Sequence, residues 1–306
     1  MKKYGFNPEN ADEIKAEVDS CTVYSGTYED TPEIKELVIP EGITVIAENA
    51  FRDFENIESV VLPKSLTEIS TAAFSGCKNL TRVSFSAGLT VIGDEAFAFC
   101  SSLTGVSLPD SVRTIGEGAF EGAASLTSLK LSESLVSIGP AAFAFAFNLR
   151  DVVIPDSVVE VDFNAFASCF ALEGVKLSRS MTYIASSTFE GCRSLREVDL
   201  PGGLAVIGER AFFGCSSLVS LIMPISLVKI GFDAFSGCSS LARLALPKSL
   251  TEIEDESAFS GCDSLENITY AGTRESWEYL TRGKSLTVVR RDLSCFVPKI
   301  QCLGIK

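Results

Sequence analysis

The sequence predicts an α/β repeat solenoid: a right-handed array of ten coils, each 23–24 residues long, with a parallel sheet of short strands. Three periodic observations predict this fold class. A phenylalanine returns every 23 residues (24 at the last step), an isoleucine or valine stands five residues before it (six in the last coil), and a leucine or isoleucine stands six residues after it. The phenylalanines are Phe51, Phe74, Phe97, Phe120, Phe143, Phe166, Phe189, Phe212, Phe235 and Phe259. A unit this short cannot bury its own apolar faces, so neighbouring coils must stack.

The first part of each coil reads as a short helical segment. Ala96, Phe97, Cys100 and Leu103 lie at positions i, i+1, i+4 and i+7. That spacing places all four side chains on one face of a helix. We therefore expect this face to look into the core.

The second part of each coil reads as extended chain. Leu103, Val106 and Leu108 alternate with polar residues, which is the two-residue period of a strand. Pro109 ends the strand because proline has no N–H group for the ladder. A second short extended piece follows at Val112 and brings the chain back to the core.

The charge distribution suggests two capping segments around the array. We predict a solenoid over residues 34–271, an acidic N-terminal cap over 1–33 and a C-terminal cap over 272–306. Residues 1–60 hold 14 acidic and 5 basic side chains, whereas residues 271–306 hold 3 acidic and 7 basic ones. This asymmetry reflects either solvated caps, head-to-tail association or a charged partner.

The net charge of −14 offers no basic field for nucleic acid, so we predict no nucleic-acid partner. No stretch approaches the roughly 18 apolar residues that a membrane span requires. Lys2 and Lys3 precede a polar stretch where a signal peptide would have its apolar region. Either Met1 is native and the chain is cytoplasmic, or a leader preceded it.

The residue types present argue against catalysis. The chain has no histidine, which excludes Ser-His-Asp and Cys-His mechanisms and every histidine-based metal site. No pair of carboxylates stands out by its spacing. We therefore predict a protein that is not an enzyme, with no catalytic residue, no metal and no cofactor.

Seven of the ten cysteines share one repeat column on the inward face: Cys77, Cys100, Cys169, Cys192, Cys215, Cys238 and Cys262. Phe54, Ala123 and Ala146 occupy the same column elsewhere, so the cysteines are predicted to fill space. Helical segments in adjacent coils should lie roughly 8–10 Å apart, beyond the ~4.4–6.8 Å that the Cα atoms of a disulfide require. We expect free thiols there, whereas the sequence leaves open whether Cys295 and Cys302 pair.

The full repeat, for example LTEISTAAFSGCKNLTRVSF, resembles the BspA-type leucine-rich repeat of bacterial and protozoan surface proteins over residues 34–271. The ending YAGTRESWEYL is similar to the way such arrays close. The resemblance implies a protein-binding module for adhesion or cell-surface recognition, at the cell surface or secreted. An intracellular scaffold or a self-assembling structural protein is the alternative.

Two outward surfaces are the candidate binding sites. Four middle strands carry charges of both signs: Lys130, Arg150, Asp151, Glu173, Lys176, Arg196, Glu197 and Asp199. The concave face of a solenoid is where such proteins usually bind, so these residues form either a recognition strip or a solvated sheet face. On the opposite side Phe147 and Phe170 share a column, and Phe213 lies at an outward position. We expect a protein partner or weak self-association there, with the phenylalanines contributing more than the charges.

Overall fold

The computed structural model describes residues 23–24 and 35–282. The chain forms two compact units, Met1–Arg150 (unit 1) and Asp151–Lys306 (unit 2). Each unit holds five of the ten repeated phenylalanines. The predicted cap boundaries at 33/34 and 271/272 stay predictions.

Each repeat contributes a longer and a shorter strand. The longer strands have three or four residues: β2 Glu36–Val38, β4 Ser59–Val61, β6 Arg82–Ser84, β8 Gly105–Ser107, β10 Ser128–Lys130, β12 Asp151–Val153, β14 Gly174–Lys176, β16 Glu197–Asp199, β18 Ser220–Ile222, β20 Arg243–Leu246 and β22 Asn267–Tyr270. The shorter strands have two: β1 Val23–Tyr24, β3 Val45–Ile46, β5 Glu68–Ile69, β7 Val91–Ile92, β9 Thr114–Ile115, β11 Ser137–Ile138, β13 Glu160–Val161, β15 Tyr183–Ile184, β17 Val206–Ile207, β19 Lys229–Ile230 and β21 Glu252–Ile253.

The strands pair in parallel with the register of the repeat. In unit 1 the longer strands form the sheets β2-β4-β6 and β8-β10, and the shorter strands run β1-β3-β5-β7-β9-β11. In unit 2 the corresponding orders are β12-β14-β16, β18-β20-β22 and β15-β17-β19-β21. Val60 faces Val83 and Ile69 faces Ile92, so each sequence column becomes a row of equivalent positions on neighbouring coils.

The predicted inward face is correct. Ala96, Phe97, Cys100 and Leu103 are all fully buried. The predicted helical segment that carries them is wrong, because residues 94–99 form a series of turns. Among the repeats that the structure describes, a single 3-10 turn at Glu256–Phe259 is the exception.

Left-handed residues explain why the segment is not helical. Glu95 and Phe99 have φ angles of 53° and 57°, which interrupt an α-helix. The amide of Ala98 still donates to the carbonyl oxygen of Glu95 at 2.9 Å, as in a tight turn. The amide of Phe97 points to the next coil and donates to Ala119 O at 2.7 Å. The segment is therefore a stack of turns tied to its neighbours by ladder hydrogen bonds.

The repeated phenylalanines form the centre of each unit. In unit 1 successive rings from Phe51 to Phe143 stack with centroids 5.1–5.3 Å apart and interplanar angles of 3–10°. In unit 2 the rings from Phe166 to Phe259 stack 5.5–5.8 Å apart with angles of 1–14°. This stacking adds an aromatic contribution to the burial of each ring.

The seven column cysteines, which we call the cysteine ladder, are buried free thiols. The Cys100 thiol donates to Phe74 O at 3.2 Å, and the Cys215 thiol donates to Phe189 O at the same distance. The spacing of 8–10 Å that we expected between adjacent coils is wrong, because the segments are not helices and bond directly to one another. Cys295 and Cys302 lie outside the described residues.

A short helix follows the last strand of unit 2. Helix α1, Arg274–Leu280, begins after Thr273, whose hydroxyl oxygen accepts a hydrogen bond from the Ser276 amide at 3.2 Å. The rings of Tyr270 and Trp277 lie 5.4 Å apart, and Leu280 is buried. The helix thus packs apolar side chains where the repeat stops.

Candidate recognition surfaces

Strands β12, β16 and β18 of unit 2 expose their first and third residues and bury the second, as the two-residue period of a strand requires. Asp151, Lys176, Glu197 and Asp199 are exposed on β12, β14 and β16. Lys176 faces Asp199 in the register of the ladder, so opposite charges lie on neighbouring strands. Such cross-strand pairs contribute little to stability when exposed, which leaves the charges accessible to a partner.

The remaining members of the predicted charged strip divide between the two units. Arg196 is exposed and Glu173 half-buried in unit 2, just before their strands. Lys130 and Arg150 are exposed in unit 1. The strip as one recognition site therefore stays a prediction.

Two isoleucines on unit 2 are far more exposed than apolar side chains usually are. Ile222, the third residue of β18, has 83% of its surface exposed, and Ile225 in the following turn has 89%. Val219 and Val228 of the same coil are also exposed. Four exposed apolar side chains thus lie within ten residues of chain.

The repeat itself does not require these isoleucines. Equivalent positions to Ile222 in unit 2 hold Val153, Lys176, Asp199, Ala245 and Thr269. Equivalent positions to Ile225 hold Asp156, Arg179, Gly202 and Lys248. Apart from Val153, polar or small side chains serve the fold at these equivalent positions.

A cavity of about 240 Å³ lies on the same sheet face. Its lining is Ser220, Leu221, Ile222, Arg243, Leu244, Ala245 and Thr269. Ile222 pairs in register with Ala245, so a large side chain stands beside a small one and leaves a recess. Arg243 supplies a cation at its wall.

The predicted phenylalanine site is only partly exposed. Phe147 in unit 1 has 38% of its surface exposed. In unit 2 the Arg193 guanidinium lies 4.7 Å from the Phe170 ring centre, and the Arg210 guanidinium lies 4.2 Å from that of Phe213. These cation–π contacts cover part of both rings, and both side chains are half-buried.

Within residues 23–24 and 35–282, no group of three or more histidine, cysteine, aspartate or glutamate side chains is arranged to hold a metal ion. Over the same residues, no helix combines the length and apolarity that a membrane crossing needs.

The sequence of this chain matches the family model described as BspA type leucine rich repeat region, in six copies. The matched residues are 21–144, 90–219 and 160–280. The chain belongs to this family. The predicted resemblance is confirmed, as is the predicted solenoid of about ten parallel-strand turns.

Several solved bacterial proteins are similar to this BspA-type chain. A leucine rich cell surface protein from Faecalibacterium prausnitzii is 27% identical, with 80% of this chain and 90% of that chain covered and a TM-score of 0.44. A leucine-rich repeat protein from Bacteroides ovatus is 28% identical, with 84% of each chain covered and a TM-score of 0.47. A leucine rich repeat protein from T. pallidum is 31% identical, with 60% and 78% covered and a TM-score of 0.47. No curated protein matches the chain.

BspA-type membership suggests a role in protein interaction, and no enzyme family is indicated. The sequence interpretation missed the exposed Ile222 and Ile225, and it also missed Phe99 and Phe145, which are 52% and 41% exposed in unit 1. A signal was present for each. All four are large apolar residues in columns that hold small or polar residues in most other repeats.

Proposed function

We propose that this chain is a non-catalytic protein-binding module and that the sheet face of unit 2 around Ile222 and Ile225 is its recognition surface. The exposure of these two side chains, 83% and 89%, is the observation that carries the proposal. Burial of apolar surface contributes ~25 cal/mol per Å², so covering both isoleucines in a complex would add to the binding free energy. Adhesion or cell-surface recognition is the form of this function that the family resemblance favours.

The surroundings of the two isoleucines suit a polypeptide partner. The recess beside Ile222 accepts a side chain, while Glu197 and Asp199 on the preceding strand and Arg243 on the following strand offer both signs of charge. Apolar groups at the centre of an interface supply most of the affinity, and charges at the rim fix orientation and speed association. Glu197 and Asp199, the members of the predicted charged strip on the strand before Ile222, act here as part of the rim.

The test replaces both isoleucines by residues that the repeat already uses in their columns. Ile222→Ser follows Ser107, and Ile225→Lys follows Lys248. The intact chain and the double variant are compared as baits against extracellular and same-cell proteins, and each captured protein is then titrated against both. We expect affinity to fall by about 2 kcal/mol, roughly thirtyfold, with no change in the thermal melt.

A matched control separates this surface from exposed apolar residues in general. Val159 is 51% exposed on unit 2, and Thr182 occupies the equivalent position in the next repeat. Val159→Thr should therefore leave binding unchanged. Equal losses in the control and the double variant, or none in either, would show that the sheet face is not the recognition surface.

A further inference from the structure

A second surface lies on the turns of unit 1 and is aromatic. Phe99, Phe145 and Phe147, which we call the aromatic face, are 52%, 41% and 38% exposed. The rings of Phe145 and Phe147 meet edge to face with centroids 6.1 Å apart. Phe99 stands two coils away from Phe145 in the same column, about 10 Å at the ~4.8 Å spacing of parallel strands.

The backbone under two of these rings favours glycine. Phe99 and Phe145 have φ angles of 57° and 61°, in the left-handed region, and Gly76 and Gly122 occupy the same column in unit 1. A bulky residue there is uncommon and costs roughly 1–2 kcal/mol of backbone strain that glycine avoids. The Phe99 ring lies against Gly122, where an added Cβ would stand 2.7 Å from Phe99 Cδ1. Strained, exposed aromatic residues that the fold does not need indicate a functional surface.

Negative charge adjoins the aromatic face. Glu95, Glu117 and Glu121, which we call the acidic cluster, surround Gly118 and form no ion pair within residues 35–282. The amide of Phe99 donates to the carbonyl oxygen of Glu121 at 2.6 Å, so the two features are contiguous.

The crowding of carboxylates changes the pKa of Glu121. Partial burial raises its pKa, and the charges of Glu95 and Glu117 raise the pKa further. A bound cation would relieve the repulsion among the carboxylates, and an aromatic ring beside them attracts cations through its π-face. Aromatic and acidic groups together therefore select a partner that is both cationic and apolar.

One segment of this chain has that chemistry. Residues 283–306, outside the described residues, hold five basic and one acidic side chain, and their apolar residues include Phe296, Val297 and Ile300. The rest of the chain carries the whole net negative charge. We propose that the aromatic face of unit 1, with the acidic cluster, binds residues 283–306 of a second copy of this chain.

A labelled peptide of residues 283–306, titrated by fluorescence anisotropy against the full chain, measures this contact directly. The variant Phe99→Gly with Phe145→Gly removes the rings and leaves the backbone in a conformation that glycine adopts freely. We expect the variant to bind the peptide roughly tenfold or more weakly while it melts like the original chain. Phe163→Ser on unit 2 removes another exposed ring, and Ser186 shows that its column accepts serine, so it is the matched control.

The charge contribution has its own variant. Glu95→Ala with Glu121→Ala places alanines where Ala72 and Ala98 stand in equivalent positions. We expect weaker peptide binding at about 0.05 M salt and a smaller difference at about 0.5 M, since screening shortens the range of exposed charges. A peptide with Arg290→Ser, Arg291→Ser and Lys299→Ser should lose the same salt-sensitive part.

Sedimentation of the full chain at increasing concentration tests the second copy. We expect association that Phe99→Gly with Phe145→Gly abolishes and that Ile222→Ser with Ile225→Lys leaves intact, which keeps this contact distinct from the sheet face of unit 2. Equal peptide binding by the original chain and the glycine variant overturns the proposal. A chain that stays monomeric well above the peptide's dissociation constant overturns it too, since the segment then has no second copy to engage.

Discussion

Unit 1 and unit 2 fold the same repeat five times each but differ in what they expose and in what they bury. Unit 1 exposes the aromatic rings of Phe99 and Phe145 on its turns, whereas the most exposed apolar side chains of unit 2 are the aliphatic ones of Ile222, on its sheet face, and Ile225, in the following turn. Inside, the cysteine ladder has two members in unit 1 and five in unit 2.

This difference shows which positions of the repeat can vary from coil to coil. Every coil needs the central phenylalanine because the rings stack from coil to coil, so that column is invariant in both units. The outward columns carry no such requirement, since glycine, serine, lysine or isoleucine all leave the coil intact. Recognition can therefore be built coil by coil on the outside without altering the core.

The largest expected effect is a loss of stability at alkaline pH, which should be greater in unit 2 because that unit buries more thiols. Burial raises the pKa of Cys192, Cys215 and Cys238 in unit 2, and that of Cys262 to about 12. In unit 1 the Cys77 side chain and burial raise the pKa of Cys100. The unfolded thiols ionise near pH ~8.5, so their contribution to stability is full below that pH and is lost as the pH rises towards the native pKa values.

Unit 2 holds four thiols whose pKa is raised and unit 1 holds one, so unit 2 should lose more stability than unit 1 as the pH rises above ~8.5. Unit 2 should therefore open first. Hydrogen exchange at several pH values, corrected for the intrinsic rate at each, reads the two units separately. Cys215→Ala, which copies Ala123 and Ala146 of the same column, should lessen the alkaline sensitivity, and identical opening of both units would contradict the assignment.

The sequence predicts the inside of this molecule well because every inward column is apolar and strictly periodic. Phe97 and Cys100 are buried where the period places them, although the helix expected to carry them is a stack of turns. The helix was favoured because a spacing of i, i+4 and i+7 matches a helical face. Glu95 and Phe99 do not mark the left-handed positions by their own types, since neither is a glycine, although glycines such as Gly76 and Gly122 in the column of Phe99 do mark one of them.

The binding residues on the surface were harder to predict because most charged residues of a sequence are exposed whether or not they bind a partner. The predicted strip residues Lys176 and Asp199 do lie on one face, yet nothing in their types separates recognition from solvation. Ile225 was detectable as an apolar residue in a column that otherwise holds charged or small ones. Comparing columns rather than reading along the chain gives that signal.

The second prediction concerns the core of unit 1. Phe120 is fully buried between Phe97 and Phe143, with ring centroids 5.3 Å from each. Phe120→Ala should lower the free energy of unfolding by about 3–5 kcal/mol through lost burial and a cavity. Chemical denaturation measures this, and Phe51→Ala at the outer end of the described stack should cost less; equal losses would argue against coil-to-coil stacking.

The smallest expected effect tests whether Phe99 of the aromatic face lowers the stability of the fold through backbone strain. Phe99→Gly relieves the strain of a left-handed backbone, which raises stability. The same change loses the contact with Gly122 and increases the conformational entropy of the unfolded chain, which lowers stability. The free energy of unfolding should therefore change by less than about 1 kcal/mol. Phe99→Ala removes the same ring and keeps a Cβ at positive φ, so it should be about 1 kcal/mol less stable than Phe99→Gly. Denaturation of the two variants side by side measures the difference. An alanine variant as stable as the glycine variant would mean that the backbone at Phe99 is not strained, and the aromatic face would then need no function to account for it.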